Sequence, residues 1–126
     1  MTEYIVLIPD NEAAWAAKDQ AERDRVYGRH QEFAAALAER GHKVTGGAEL
    51  MPVAQARVVR RGASGLEITE GPYAESAEQL SGFYVVESDD LDDLLQCVGI
   101  LAEAGSDGGA AGGIEVRPCV DHSGGA

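Results

Sequence analysis

The chain reads as an α+β domain of ferredoxin-like type, β-α-β-β-(β)-α-β, with an antiparallel sheet and both main helices on one face. Three observations predict this. Short apolar runs rich in β-branched residues recur along the chain, two stretches carry apolar residues at helical spacing, and turn or cap residues separate them. The order of these signals gives two β-α-β halves, the split arrangement in which antiparallel strands share one helical layer.

Residues 3–9, EYIVLIP, are continuously apolar and end at Pro9-Asp10-Asn11, so they read as the first strand. Asn11 to Lys18 fits a short helix carrying Trp15, and the polar stretch Asp19 to Asp24 either continues or breaks it. From Val26 the apolar positions 26, 30, 33, 34, 37 and 38 have helical spacing, and Gly41 follows as the expected C′ residue, placing the helix end near Arg40. Residues 42–50 read as a strand with a bulge or bend at Gly46-Gly47, closed by Met51-Pro52. Residues 55–61 and 66–69 read as a hairpin around a four-residue turn, Gly62 to Gly65. Glu70-Gly71-Pro72-Tyr73 reads as a loop, and Ser76 with Gln79 as a capping box for one helical turn. Residues 82–87, GFYVVE, form the next strand. Ser88 is then the expected cap of a helix with apolar positions 91, 94, 95, 98, 101 and 102, ending at Gly105. The run 105–113 is glycine-rich and reads as flexible, and 114–118, IEVRP, as the last strand.

At 126 residues there is material for one domain, taken as 1–120 with 121–126 as a flexible tail. Ten Lys and Arg against 22 Asp and Glu leave a formal charge of −12, which repels phosphate backbones and argues against direct nucleic-acid binding. No stretch approaches the roughly 18 apolar residues of a membrane helix, and the start lacks a basic-then-apolar leader, so the expected location is the cytoplasm. Cys97 and Cys119 have no CxxC spacing and are expected as thiols.

The first strand and the strand at 82–87 are apolar at nearly every position, where a sheet wet on one face should alternate. Something must cover the second face. The expected answer is a homodimer packed sheet on sheet, with a small-molecule cavity between the sheets. The alternative is a monomer whose 42–80 segment folds over its own sheet.

The run from Glu70 to Tyr84, EGPYAESAEQLSGFY, resembles the DGPF signature of the YCII-related superfamily. The closing Gly113 to Pro118 resembles that family's terminal strand, and His30 with the following apolar face and Gly41 resembles its first helix. Glu70 stands where the usual residue is Asp, Tyr73 where it is Phe, and Ala77 where it is Lys. The resemblance implies a dimeric α+β barrel. It also points to a dechlorinating relative acting on a hydroxylated aromatic ring through a His–Asp pair, and to genes associated with sigma factors.

His30 sits within the apolar stripe of its helix, where an imidazole can act as a general base if a carboxylate fixes its tautomer. Asp10 is that carboxylate by resemblance. The competing reading is a core histidine satisfied by a backbone carbonyl, with Asp10 merely capping the short helix. Glu70, Gly71, Pro72, Tyr73 and Glu75 are candidate substrate-binding residues at a cavity mouth, or else a structural turn. Glu115 and Arg117 share one strand face, where Arg117 could bind an anionic substrate group or simply pair with Glu115. No metal-ligand spacing, P-loop, GxGxxG after a strand or GxSxG elbow occurs, so no cofactor and no metal are expected. Two functions stay open: a cofactor-free enzyme using His30 and Asp10 (hydrolytic dehalogenation, isomerisation or similar), and a non-catalytic ligand-binding or regulatory module linked to transcription genes.

Overall fold

The computed structural model describes residues 1–71, 79–104 and 113–123. Strand β1 (Thr2–Asp10) is followed by the short helix α1 (Glu12–Ala17), whose N-cap Asn11 accepts the Ala14 N–H through its side chain. The chain then breaks at Lys18 and Asp19. Asp19 accepts the Glu22 N–H at 2.9 Å and starts helix α2 (Gln20–Glu39), so the polar stretch left open by the sequence both breaks one helix and begins the next. Helix α2 ends in a Schellman arrangement: the His42 N–H reaches the Leu37 carbonyl at 2.9 Å, and Gly41 takes φ +84°. Strand β2 (Lys43–Glu49) carries the expected irregularity, with a register shift between Val44 and Gly46.

A 3-10 turn, Val53–Gln55, leads to strands β3 (Arg57–Gly62) and β4 (Gly65–Glu70). Among the described residues these two pair only with each other. Their ladder runs on to Gly62↔Gly65, so the hairpin turn is the two residues Ala63 and Ser64 rather than four. Glu70 belongs to β4, not to the following loop, and Arg57 opposite it supplies its ion pair at 3.8 Å. Strand β5 (Gln79–Ser88), helix α3 (Leu91–Ala104) and strand β6 (Glu115–Pro118) complete the order. The possible capping turn at Ser76 and most of the glycine-rich run lie outside the described residues.

The main sheet has the order β2-β5-β1-β6, antiparallel at every junction. With the β3–β4 hairpin set aside as an insertion, this is the ferredoxin-like order. The core lies between the sheet and the helices. Tyr4 and Val6 of β1 and Val86 of β5 meet Phe33 and Leu37 of α2 and Leu94, Cys97, Val98 and Leu101 of α3. Even-numbered strand positions face the helices because successive side chains alternate across the sheet. Leu91 and Leu95, counted in the α3 stripe, lie on its flank and remain 40% and 43% exposed; Cys97 takes the core position instead.

Ser88 does not cap α3. The cap falls two residues later, with Asp90 accepting the Asp93 N–H at 3.1 Å, because Ser88 is still the last residue of β5 and points into the core. There its hydroxyl lies 2.8 Å from His42 Nδ1, and His42 Nε2 lies 2.7 Å from Asp93. Arg40 grips the same carboxylate through Nε and Nη2. This chain of polar contacts ties the end of α2 to β5 and the start of α3. The opposite sheet face presents Ile5 paired with Val85 and Leu7 paired with Phe83, all half-buried in the single chain.

Candidate functional site

A cavity of about 800 Å³ opens between the N-terminal half of α2, helix α1 and the ends of β1, β2 and β5. It is formed by one chain, on the helical side of the sheet. The cavity expected from the sequence, between the sheets of two chains, concerns the opposite face of the sheet.

The apolar wall of the single-chain cavity includes Ile8, Trp15, Val26, Pro52 and Leu101. Trp15 meets Tyr27 edge-on with ring centroids 5.6 Å apart. Gly47 lets the wall close up: at φ +151° its backbone lies so near β5 that a Cβ would fall 2.6 Å from the Phe83 carbonyl oxygen. Helix α1 is held over the cavity from two directions. Glu12 accepts the Val53 N–H at 3.0 Å, and Arg23 donates to the Trp15 carbonyl at 3.2 Å while its guanidinium stands 5.2 Å from the centre of the Trp15 ring.

Two polar pairs interrupt this surface. His30, one turn before Phe33 on α2, brings its Nδ1 to 2.7 Å from the Tyr84 hydroxyl; either atom can donate, according to the imidazole tautomer. Tyr84 also packs edge-on against Phe33 at 5.1 Å, so its position is set by the core. The Tyr27 hydroxyl donates to Glu49 at 2.8 Å. Burial lowers the His30 pKa from its ordinary value, and the Glu49 charge opposes that shift. Burial raises Tyr84, again with a contribution from Glu49, while the Glu49 hydrogen bond raises Tyr27, so both phenols keep their protons near neutral pH. The site therefore combines a neutral imidazole, two phenols and a carboxylate on a mostly apolar wall, a donor set suited to binding and deprotonating a small apolar acid.

The structure brings His30 and Asp10 to the same cavity. The group hydrogen-bonded to His30 is Tyr84, and the carboxylate whose charge reaches it is Glu49. Asp10 Oδ1 accepts the Asn11 N–H at 2.8 Å, bracing the start of α1. Glu70 and Gly71 do not line the cavity: Glu70 is exposed beside Arg57, and the Gly71 N–H binds the Ala56 carbonyl at 3.1 Å. Pro72, Tyr73 and Glu75 lie outside the described residues. Glu115 and Arg117 do share a face, but it is the one turned away from the helices; they pair with each other at 3.4 Å, and Glu115 lines a separate hollow with Leu7 and Gln79. The sequence reasoning missed Tyr84, Tyr27, Glu49 and Trp15. Period-two counting along β5 from the core residue Val86 would have placed Tyr84 on the helical face, opposite the stripe of His30, Phe33 and Leu37.

The fold is that of a ferredoxin-like α+β domain with a cavity on the helical side of its sheet. Residues 2–121 match the YCII-related domain. The chain is also 32% identical, over 115 residues covering 91% of it and 90% of the relative, to an uncharacterised protein of Rhizobium meliloti (strain 1021). The chain belongs to the YCII-related family.

Proposed function

We propose that the cavity binds a small, largely apolar molecule bearing an acidic proton, of the hydroxylated aromatic class, and that His30 acts on it as a general base without a cofactor. The observation that supports this is the half-buried imidazole with one nitrogen bonded to Tyr84 on a mostly apolar wall. His30 Nδ1–H donates to the Tyr84 oxygen, which leaves Nε2 as the proton acceptor. Asp10 is a second carboxylate of the same wall and the Glu49 charge supports the imidazolium once it forms. In a hydrolytic dehalogenation, water adds at the ring carbon, the halide leaves with the bonding electron pair, and His30 takes the proton from the water. In an isomerisation, His30 removes a proton from one carbon and returns it to another.

The test is calorimetric binding of a panel of chlorinated and hydroxylated aromatics, followed by assays of halide release and isomerisation. The expected result is wild-type turnover that falls at least about a hundredfold in His30→Ala, in line with the loss of a general base, while binding survives. Binding without turnover in the wild type would replace this reading with that of a ligand-binding module. Absence of binding across the panel would defeat both.

The half-buried apolar face of Ile5, Leu7, Phe83 and Val85 supports a homodimer packed sheet on sheet, rimmed by Lys43, Glu87, Glu115 and Arg117. Light scattering at micromolar concentration should give twice the mass of the chain, and Leu7→Glu should halve it. The two free thiols fit a reducing cytoplasm.

A further inference from the structure

The geometry points to a second site, independent of the cavity: we propose that His42, Asp93 and Cys97 bind a divalent transition-metal ion of the zinc type, tying the end of α2 to the start of α3. None of the three lines the cavity. Their ligand atoms, one imidazole nitrogen, one carboxylate oxygen and one sulfur, all lie within 4.8 Å of one another. Asp93 and Cys97 are four residues apart on α3 and share a face, and His42 is delivered opposite them by the Schellman turn at Gly41.

The clustering of these three ligand atoms carries the argument, and the contacts of His42 are compatible with it. The Ser88 hydroxyl accepts the Asp90 N–H at 3.0 Å and can donate its one proton to the Asp90 carbonyl at 3.1 Å. It also lies 2.8 Å from His42 Nδ1, where it accepts when the ring proton is on Nδ1 and donates when that proton is on Nε2. With the ring proton on Nδ1 the Nε2 lone pair faces an Asp93 oxygen at 2.7 Å, an approach of two acceptors that a second ring proton or a metal ion relieves. The Cys97 sulfur completes a nitrogen, oxygen and sulfur set that a proton does not use and that zinc does.

The surrounding shell has the form a metal site requires. A metal-bound histidine normally donates its other nitrogen to a fixed acceptor, here Ser88, and a ligating carboxylate is normally hydrogen-bonded, here by Arg40, which holds both Asp93 oxygens and would give up Oδ2 to the ion. With bonds of about 2.0–2.3 Å, a tetrahedral ion sets its ligand atoms roughly 3.3–3.7 Å apart, so the cluster needs shifts of about an ångström. Asp93 is 21% exposed while the other two side chains are buried, which gives the ion one route in and leaves its fourth position to water. Binding displaces the Cys97 thiol proton to solvent, and the thiolate becomes the ligand.

The experiment adds Co²⁺ to tag-free, metal-stripped protein and records its absorption. The expected result is one ion per chain, with tetrahedral visible bands and a thiolate-to-cobalt charge-transfer band. Cys97→Ser should remove the charge-transfer band and Cys119→Ser should leave it unchanged. Because Cys97 is buried, the fold of Cys97→Ser is checked by circular dichroism. Cadmium NMR of the wild type reads sulfur ligation with no substitution at all. Lack of a charge-transfer band and of a sulfur-shifted cadmium resonance in the wild type overturns the proposal, as does a band that disappears with Cys119→Ser.

Discussion

Tyr84→Phe removes one oxygen and leaves the ring, so the edge-on contact with Phe33 and the stacking on His30 at 5.9 Å persist while the 2.7 Å contact to Nδ1 is lost. A hydrogen bond of this kind contributes about 1 kcal/mol net, the lower part of the range for a buried group because the adjoining cavity can supply a replacement water. The expected stability loss is therefore about 0.5–1.5 kcal/mol in urea unfolding. The same energy acts on the imidazole tautomer. If Nδ1–H donates to Tyr84, the bond favours that tautomer by about fivefold for each 1 kcal/mol, and the substitution should relax the ratio by that factor. Long-range nitrogen–proton correlation spectra above pH 7.5 distinguish the tautomers, and with 3 histidines in the chain, His122→Gln and His30→Gln suffice for assignment. A wild-type His30 carrying its proton on Nε2 would refute the base assignment, since the nitrogen left to act on a ligand would then be a donor.

Further expectations concern charge and packing. The folded-state pKa of His30 lies below the ordinary 6.5, chiefly through burial, so between 6.5 and that lower value the unfolded chain holds the proton more tightly. Stability is complete above about 6.5 and falls as pH drops through the folded-state value; His30→Gln should remove that part of the pH slope in urea titrations. Glu49→Gln takes away a charge that raises both groups, so NMR and ultraviolet titration should show His30 falling further and Tyr27 returning toward 10.0. Ser88→Ala removes the buried partner of His42 Nδ1 and the acceptor of the part-buried Asp90 N–H and should cost about 1–3 kcal/mol by chemical denaturation, where Ser123→Ala on the surface should cost nothing measurable. Leu94→Ala, at a fully buried position between α3 and the sheet, should cost about 2–5 kcal/mol by the same measurement.

Local patterns carried most of the fold. The apolar runs of β1 and β5, the 3.6-residue stripes of α2 and α3, the Asn11 cap and Gly41 at the end of α2 are decided by side chains close in sequence, where steric preference and periodicity act directly. The start of α3 was less legible because Ser88 and Asp90 are both good caps. The choice fell to the strand register that turns Ser88 inward to His42.

The site divides along the same line. His30 was recognisable because a histidine in an apolar stripe is anomalous within its own helix. Its partner was not, since Tyr84 lies 54 residues away and the contact depends on how β5 pairs beside β1 beneath α2. Asp10 and His30 share a cavity wall, while Glu70 and Arg117 are carried away from it by a self-paired hairpin and by the pleat of β6. The His42, Asp93 and Cys97 cluster has no sequence spacing to announce it, because one ligand comes from a helix end and two from the next helix over. The sequence by itself determined which segments form strands and helices and which of their faces are apolar, since those are short-range and periodic properties. Only the tertiary structure decided which polar groups meet, because those distances are set by strand register and by the packing of helices on the sheet.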